Sequence, residues 1–433
     1  MTLKIGLGIA AALFFPGGVA AGQVPDSLTV QQAIQRVIAT HPAVAEAAHG
    51  VAASEARVRV GETAFGPSVA VQGSYTRIGP TPPLSFGGAT FNLYPADNWN
   101  GHVSVRQTLL DWGRRRTVVD AARSQQTSAA ESAEVVKSRL AYQTVQAFYG
   151  VLFLRADLKV RDDEIDALTR HLEITQRKVA AGTATDFDVL STQVRIATAR
   201  SQRVDVTDAL AQQNIELRQL LGLPADSSIT PAGGFDVSPM GLNQDSLVQV
   251  ALVQRPDLKM SRDVVASAEV QARLASLADR PTVSLDLSGG AKNGYVPDLN
   301  QMKANFVAGI SVELPIYNGH RTRFQVGEAE ANTAVARSRA QVLERSVSAD
   351  VQRAVAAVGA SLEKIATAEV QVRQARAAVA LARTRYQAGV VTNLDVLDAE
   401  TLLSEAELVQ LRARYALVQG HYQLEQAVGV RIW

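Results

Sequence analysis

Ala181 to Leu190 reads Ala-Gly-Thr-Ala-Thr-Asp-Phe-Asp-Val-Leu, and Ala388 to Leu397 reads Ala-Gly-Val-Val-Thr-Asn-Leu-Asp-Val-Leu. Each stretch holds a helix-ending Gly, a Thr that can start a new helix, and an Asp three residues after that Thr. The two lie 207 residues apart, and the same offset pairs Val103-Ser104-Val105 with Ile310-Ser311-Val312, Asp111 with Asn318, Arg114 with Arg321 and Gly222 with Gly429. Further upstream the offset becomes 214, matching Pro42 with Pro256, Pro67 with Pro281 and Val69 with Val283. The first half therefore carries seven extra residues between Val69 and Val103. Two copies of one supersecondary unit make the chain, expected at residues 23–238 and 239–433.

Each unit contains one very long helix and a return helix. From about 114 to 179 and from about 321 to 386 there is no Pro and almost no Gly, which predicts rods of ~100 Å at 1.5 Å per residue. Apolar residues recur every seven positions, at Leu158, Ile165, Leu172 and Val179 in one rod and Ile365, Val372, Val379 and Tyr386 in the other. The return helices, expected at about 186–221 and 392–428, carry Val189, Ile196, Leu210, Leu217 and Val396, Leu403, Leu417, Leu424. Alanines such as Ala375, Ala378 and Ala382 leave a second, small-residue face free to approach another helix. Two packable faces suit a closed ring of helices; an ordinary coiled-coil spacer is the alternative, and it has no use for amphipathic strands.

Such strands are present, two per unit. Val69, Val71, Gly73 and Tyr75 alternate with Ala70, Gln72, Ser74 and Thr76, and Val103 and Val105 alternate with His102, Ser104 and Arg106. In the second unit Val283, Leu285 and Leu287 alternate with Ser284, Asp286 and Ser288, and Phe306, Ala308, Ile310 and Val312 alternate with Val307, Gly309 and Ser311. The expected strands are about 68–77, 99–108, 282–289 and 305–314, near the ~9 to 11 residues that cross a membrane in a barrel. Alternation alone equally fits a soluble sheet packed on a helix. The connections decide between them: 78–98, rich in Pro and Gly, reads as a long exposed loop, whereas the strand ends that meet helices are tight. Four strands do not close a barrel, for which about eight are needed, so a membrane reading requires several chains to pool strands.

Composition and address agree with an exported protein. Lys4, an apolar run from Ile5 to Phe15 and the small residues Pro16 to Gly22 have the layout of a secretory signal, expected over 1–22 with cleavage between about Ala20 and Gln23. No later window approaches the ~18 to 20 apolar residues of a membrane helix. The 433 residues carry a net charge of +1, which gives no bulk attraction to nucleic acid, and contain no Cys, which excludes disulfides and thiol chemistry. The six His residues show no HExxH spacing, and there is no phosphate-binding glycine loop or GxSxG elbow. No catalytic residue, metal ligand or cofactor is assigned, and His41, His49, His102, His171, His320 and His421 read as surface or packing residues.

The combined pattern resembles the TolC-like outer-membrane efflux protein family. The residues that carry it are Arg385-Tyr386-Gln387-Ala388-Gly389 followed by Asp395-Val396-Leu397-Asp398, then Leu314-Pro315-Ile316-Tyr317-Asn318-Gly319-His320-Arg321, and Gln254-Arg255-Pro256-Asp257-Leu258. The resemblance spans about Leu28 to the C-terminus. It implies an α+β membrane protein: a homotrimeric β-barrel with four strands per chain, continued by a long periplasmic α-helical barrel. It also implies a passive exit duct in the outer membrane of a Gram-negative bacterium, docked by a periplasmic adaptor and driven by an inner-membrane pump. A non-conducting scaffold is the alternative.

For individual residues, the resemblance implies a gate at Asp395 and Asp398, with Tyr386 bonded to Asp188, and an adaptor-contact tip at Gly182, Gly389, Arg385, Thr185 and Thr392. Thr185 and Thr392 stand three residues before Asp188 and Asp395, so those aspartates have a competing use in starting helices. Asp398 lies beyond the cap and matches Ser191 in the first unit, so capping does not account for it. The Arg that some relatives carry two residues after the motif Gly is Val391 here, which removes that salt bridge. Nothing in the sequence names the cargo; small-molecule export is favoured over protein secretion.

Overall fold

The computed structural model describes residues 27–433 except 82, 93, 228, 238–240 and 242. The signal segment 1–22 and the junction of the two units at 238/239 lie outside the described residues. In chain order the elements are α1 (Val30–Thr40), α2 (Pro42–Thr63), β1 (Ser68–Arg77), β2 (Leu84–Phe86), β3 (Ala89–Phe91), β4 (Asp97–Leu110), α3 (Arg114–Ala180) and α4 (Asp186–Leu220). The second unit follows with α5 (Gln244–Gln254), α6 (Pro256–Ser276), β5 (Thr282–Lys292), β6 (Lys303–Glu313), α7 (Arg321–Gln387) and α8 (Asn393–Val428). Among the described residues no helix is long and apolar enough to cross a membrane.

The rods α3 and α7 have 67 residues each, about 100 Å of helix. Each is flanked by two shorter helices laid end to end. Along α7, α6 is tied near one end by Arg337 to Glu269 at 2.6 Å, and α8 toward the other by Arg376 to Glu407 at 2.8 Å. The end of α8 meets the start of α6 so closely that a Cβ on Gly429 would lie 2.9 Å from Arg255 Cα; Gly429 also has φ +84°, which a side chain disfavours. Arg255 holds that junction, donating to Asp257 on its own helix at 2.7 Å and to Asp350 of α7 at 3.0 Å. In the first unit Arg36 of α1 donates to the carbonyl of Leu221 at the end of α4, at 3.1 Å. The largest core lies there, where Ile34, Val37, Phe148, Leu217 and Leu221 pack with Val418 and Tyr422 of α8. Burying such side chains, at roughly 1.5–3 kcal/mol each, binds the two units together.

Four of the strands form one antiparallel sheet in the order β1-β4-β5-β6, so β4 and β5 join the units. Register carries the alternation across all four. Val69 pairs with Val105 and Tyr75 with Trp99; Val105 in turn faces Leu287, and Leu285 faces Ile310. On the opposite face Gln72 pairs with His102, Ser104 with Ser288, and Arg106 with Asp286 at 2.6 Å. The apolar face is uncovered in a single chain: Val71 is 82 % and Phe306 85 % exposed.

Four features differ from the sequence expectation. Segment 78–98 is not a bare loop: β2 and β3 pair within it around a turn at Gly87 and Gly88, both with positive φ. β4 runs from Asp97 to Leu110 rather than 99–108, and β6 spans Lys303–Glu313 rather than 305–314. β5 reaches Lys292 instead of stopping at 289. A Cβ on Gly290 would overlap the Gly101 carbonyl oxygen of β4, so glycine there allows the ladder to continue.

Candidate functional site

The end of the rods remote from the sheet holds the residues singled out by the repeat. Both rods stop in the same way. Gly182 (φ +73°) donates to the Val179 carbonyl at 2.9 Å, and Thr183 to that of Lys178 at 2.8 Å; Gly389 (φ +76°) and Val390 repeat this to Tyr386 and Arg385 at 3.0 and 2.9 Å. These are Schellman turns, for which a left-handed glycine is the ordinary solution. Both return helices then open on reciprocal capping boxes. Thr185 N–H donates to the Asp188 carboxylate at 2.9 Å and Asp188 N–H to Thr185 Oγ1 at 3.3 Å; Thr392 and Asp395 do the same at 2.7 and 3.3 Å. The hydroxyl and amide of Thr392 hold the Asp395 carboxyl below its usual range, so it stays charged.

The structure separates Tyr386 from its expected partner. The Asp188 carboxylate is used by Thr185, and the Tyr386 hydroxyl lies 3.3 Å from Thr175 Oγ1 instead. Asp188 contributes its backbone carbonyl, which accepts from Asn393 Nδ2 at 3.1 Å. Asp395 and Asp398 are both exposed; Asp398 is ion-paired with Arg195 of α4 at 3.1 Å, linking the two hairpins where Val391 leaves no cation. Arg385 is exposed at the end of α7.

A buried polar cluster among α3, α4, α7 and α8 went unseen in the sequence. Asn393, the first residue of α8, is 4 % exposed. Its Oδ1 sits 2.7 Å from His171 Nε2, and its Nδ2 also lies within 3.2 Å of Ser191 Oγ and 3.3 Å of Thr192 Oγ1. Burial pushes the His171 imidazole below its ordinary pKa, an effect the Asn393 contact only partly offsets. Lys178 of α3 donates to the Tyr386 carbonyl and lies 4.6 Å from the centre of the Tyr386 ring, placing a cation at the C-terminus of α7. Alongside, buried Glu400 is paired with Arg383. His171 is therefore a bonded, buried residue with specific partners. One signal could have exposed the cluster: at the 207-residue offset His171, Thr175, Tyr386 and Asn393 face Ala378, Ala382, Val179 and Asp186, so polarity breaks the repeat here.

A sheet that must find its remaining strands elsewhere, mounted on rods too long for any globule, defines a class: outer-membrane ducts that continue as helical tubes. A family model described as "Outer membrane efflux protein" matches residues 33–223 and 247–430, and the chain belongs to that family. It is similar to the outer membrane efflux protein BepC of Brucella suis, 24 % identical over 426 residues, covering 97 % of this chain and 90 % of BepC. It is 25 % identical to the alkaline protease secretion protein AprF of Pseudomonas aeruginosa, over 77 % of this chain and 70 % of AprF. Among solved structures, the outer membrane protein VceC of Vibrio cholerae superposes with a TM-score of 0.81 at 19 % identity, covering 92 % of this chain and 96 % of VceC. The protein is thus an outer-membrane exit duct of an efflux or secretion system that reaches into the periplasm, and it is not an enzyme.

Proposed function

We propose that three copies close one twelve-stranded barrel in the outer membrane and pool their rods into a periplasmic tube, which an adaptor docks at its tip and an inner-membrane pump feeds. The observation that carries this is the open sheet. β1 and β6 each have one unpaired edge, an uncovered edge in lipid leaves backbone groups unsatisfied at several kcal/mol each, and four strands are about half of the smallest barrel. Apolar and polar faces that persist across four strands supply a lipid side and a lumen side. Tyr75 and Trp99, ring centres 4.5 Å apart, lie toward one end of the sheet, and exposed Trp112 and Tyr317 lie at the helical end, where aromatic girdles belong.

At the tip, Asp395 and Asp398 act as rings of carboxylates that narrow the duct and favour cations, with Tyr386 and the Asp188 segment holding the hairpins in the narrowed state. Gly182, Gly389, Arg385, Thr185 and Thr392 form the turns offered to the adaptor. The cargo we assign is small molecules, in keeping with the efflux role named for BepC.

Conductance of the purified protein in a planar bilayer tests this reading. Small, cation-selective currents are expected from the native chain, growing and losing selectivity in Asp395→Ala plus Asp398→Ala. Well-folded protein that passes no ions in either form would instead support a non-conducting scaffold.

A further inference from the structure

Polar contacts between the two hairpins cluster at the tip of each chain, and one of them involves an imidazole, a group whose ordinary pKa lies near neutrality. We propose that the buried His171–Asn393 contact is a proton-sensitive latch that joins the two hairpin tips of each chain and releases in acid. The proposal rests on reading the tip as the gate of the duct.

The hydrogen-bond directions leave little freedom. Asn393 Nδ2 faces the carbonyl oxygen of Asp188, which only accepts, so Oδ1 must face His171. Oδ1 only accepts in turn, so His171 carries its hydrogen on Nε2, and in the neutral ring Nδ1 is bare. Thr175 Oγ1, 3.4 Å from Oδ1, completes the amide's partners. One buried amide thereby ties α8 to α3 and to α4. Because the equivalent positions are Ala378, Ala382, Val179 and Asp186, the arrangement occurs once per chain.

A proton on Nδ1 would place a cation inside this cluster. The charged groups that face it are Asp188 from α4, Arg383 from α7, Glu400 from α8 and Lys178 from its own helix, α3. The Asp188 carboxylate is committed to Thr185, Glu400 is committed to Arg383, and Arg383 opposes a second cation. Burial therefore dominates and favours the neutral form of the latched ring. Once the hairpins part, the ring reaches water and titrates near its ordinary pKa of about 6.5. The separated form then binds a proton that the latched form does not. Latching is at full strength above about pH 6.5 and is lost as pH falls toward the depressed value of the closed form.

The absence of native Cys allows a direct test. Nitroxide labels are placed on Ala181→Cys and Val390→Cys, exposed residues at the two turns, in the full-length detergent-solubilised protein. The short distance within one chain is then read by electron paramagnetic resonance at about pH 7.5 and about pH 5. The ratio of separated to latched tips should rise by up to about tenfold per pH unit below 6.5. His171→Gln, which keeps an amide donor but does not titrate, should remove that rise, and Asn393→Ala should hold the tips apart at both pH values. Native distances that do not change with pH, or a His171→Gln protein that responds as the native one does, would overturn the latch. Conductance of the same preparation distinguishes the two readings: a pH-dependent distance without current removes the duct and keeps the latch, whereas current with fixed distances does the reverse.

Discussion

Thr185 and Thr392 perform the same local task, and their loss should have separable consequences. Thr185→Ala removes the acceptor for the Asp188 N–H and should cost about 1 kcal/mol, seen as roughly fivefold faster amide exchange in the first turn of α4. Thr392→Ala removes the hydroxyl that holds the Asp395 carboxyl low, so the Asp395 titration midpoint, followed by carboxyl carbon NMR, should move up toward about 3.9. In the native protein this bond adds stability above the unfolded carboxyl pKa and loses it as pH falls through the lower folded value. Gly222 and Gly429 occupy matching helix ends, both with positive φ, but only Gly429 abuts other backbone. Gly222→Ala should therefore lower the thermal midpoint modestly, by strain of order 1 kcal/mol, and Gly429→Ala should lower it considerably more.

Among elements, the strands offer the sharpest test because adjacent residues face opposite environments. Leu285 and Ser284 are neighbours in β5, one on the apolar face opposite Ile310, the other on the polar face opposite Ser311. Arg at 285 should cost about 2–4 kcal/mol near the bilayer midplane and suppress insertion, whereas Ser284→Arg should be accepted. The yield of folded protein in outer-membrane fractions checks both. The strands were readable because a period of two is local information. Their ends are not: β5 continues past 289 because Gly290 lies against β4, and Asp97 joins its strand because Arg77 stands opposite.

For the whole molecule, particles viewed by electron microscopy should be threefold symmetric, with a helical shaft about 100 Å long below a short barrel. A monomeric particle would leave an apolar sheet face bare, Phe306 and Val71 included, well beyond what monomeric soluble proteins expose. The ties between the hairpin tips join different halves of the chain: Arg195 to Asp398, Lys178 to Tyr386, and His171 to Asn393.

Much of the protein is written in one dimension. Duplication and rod length follow from comparing stretches of the sequence, and strand alternation, the glycine turns and the Thr-Asp caps follow from residues within a few positions of one another. At Asp188 local spacing is the better guide: the side chain meets Thr185, three residues away, and not Tyr386, the partner implied by the family resemblance. Only the tertiary structure could show that His171 is buried against a residue 222 positions later, that Asp398 answers Arg195, and that β4 pairs with β5. Those contacts arise from how four helices and two hairpins dock, and the docking is set by buried surface shared between the halves rather than by the order of residues in either one.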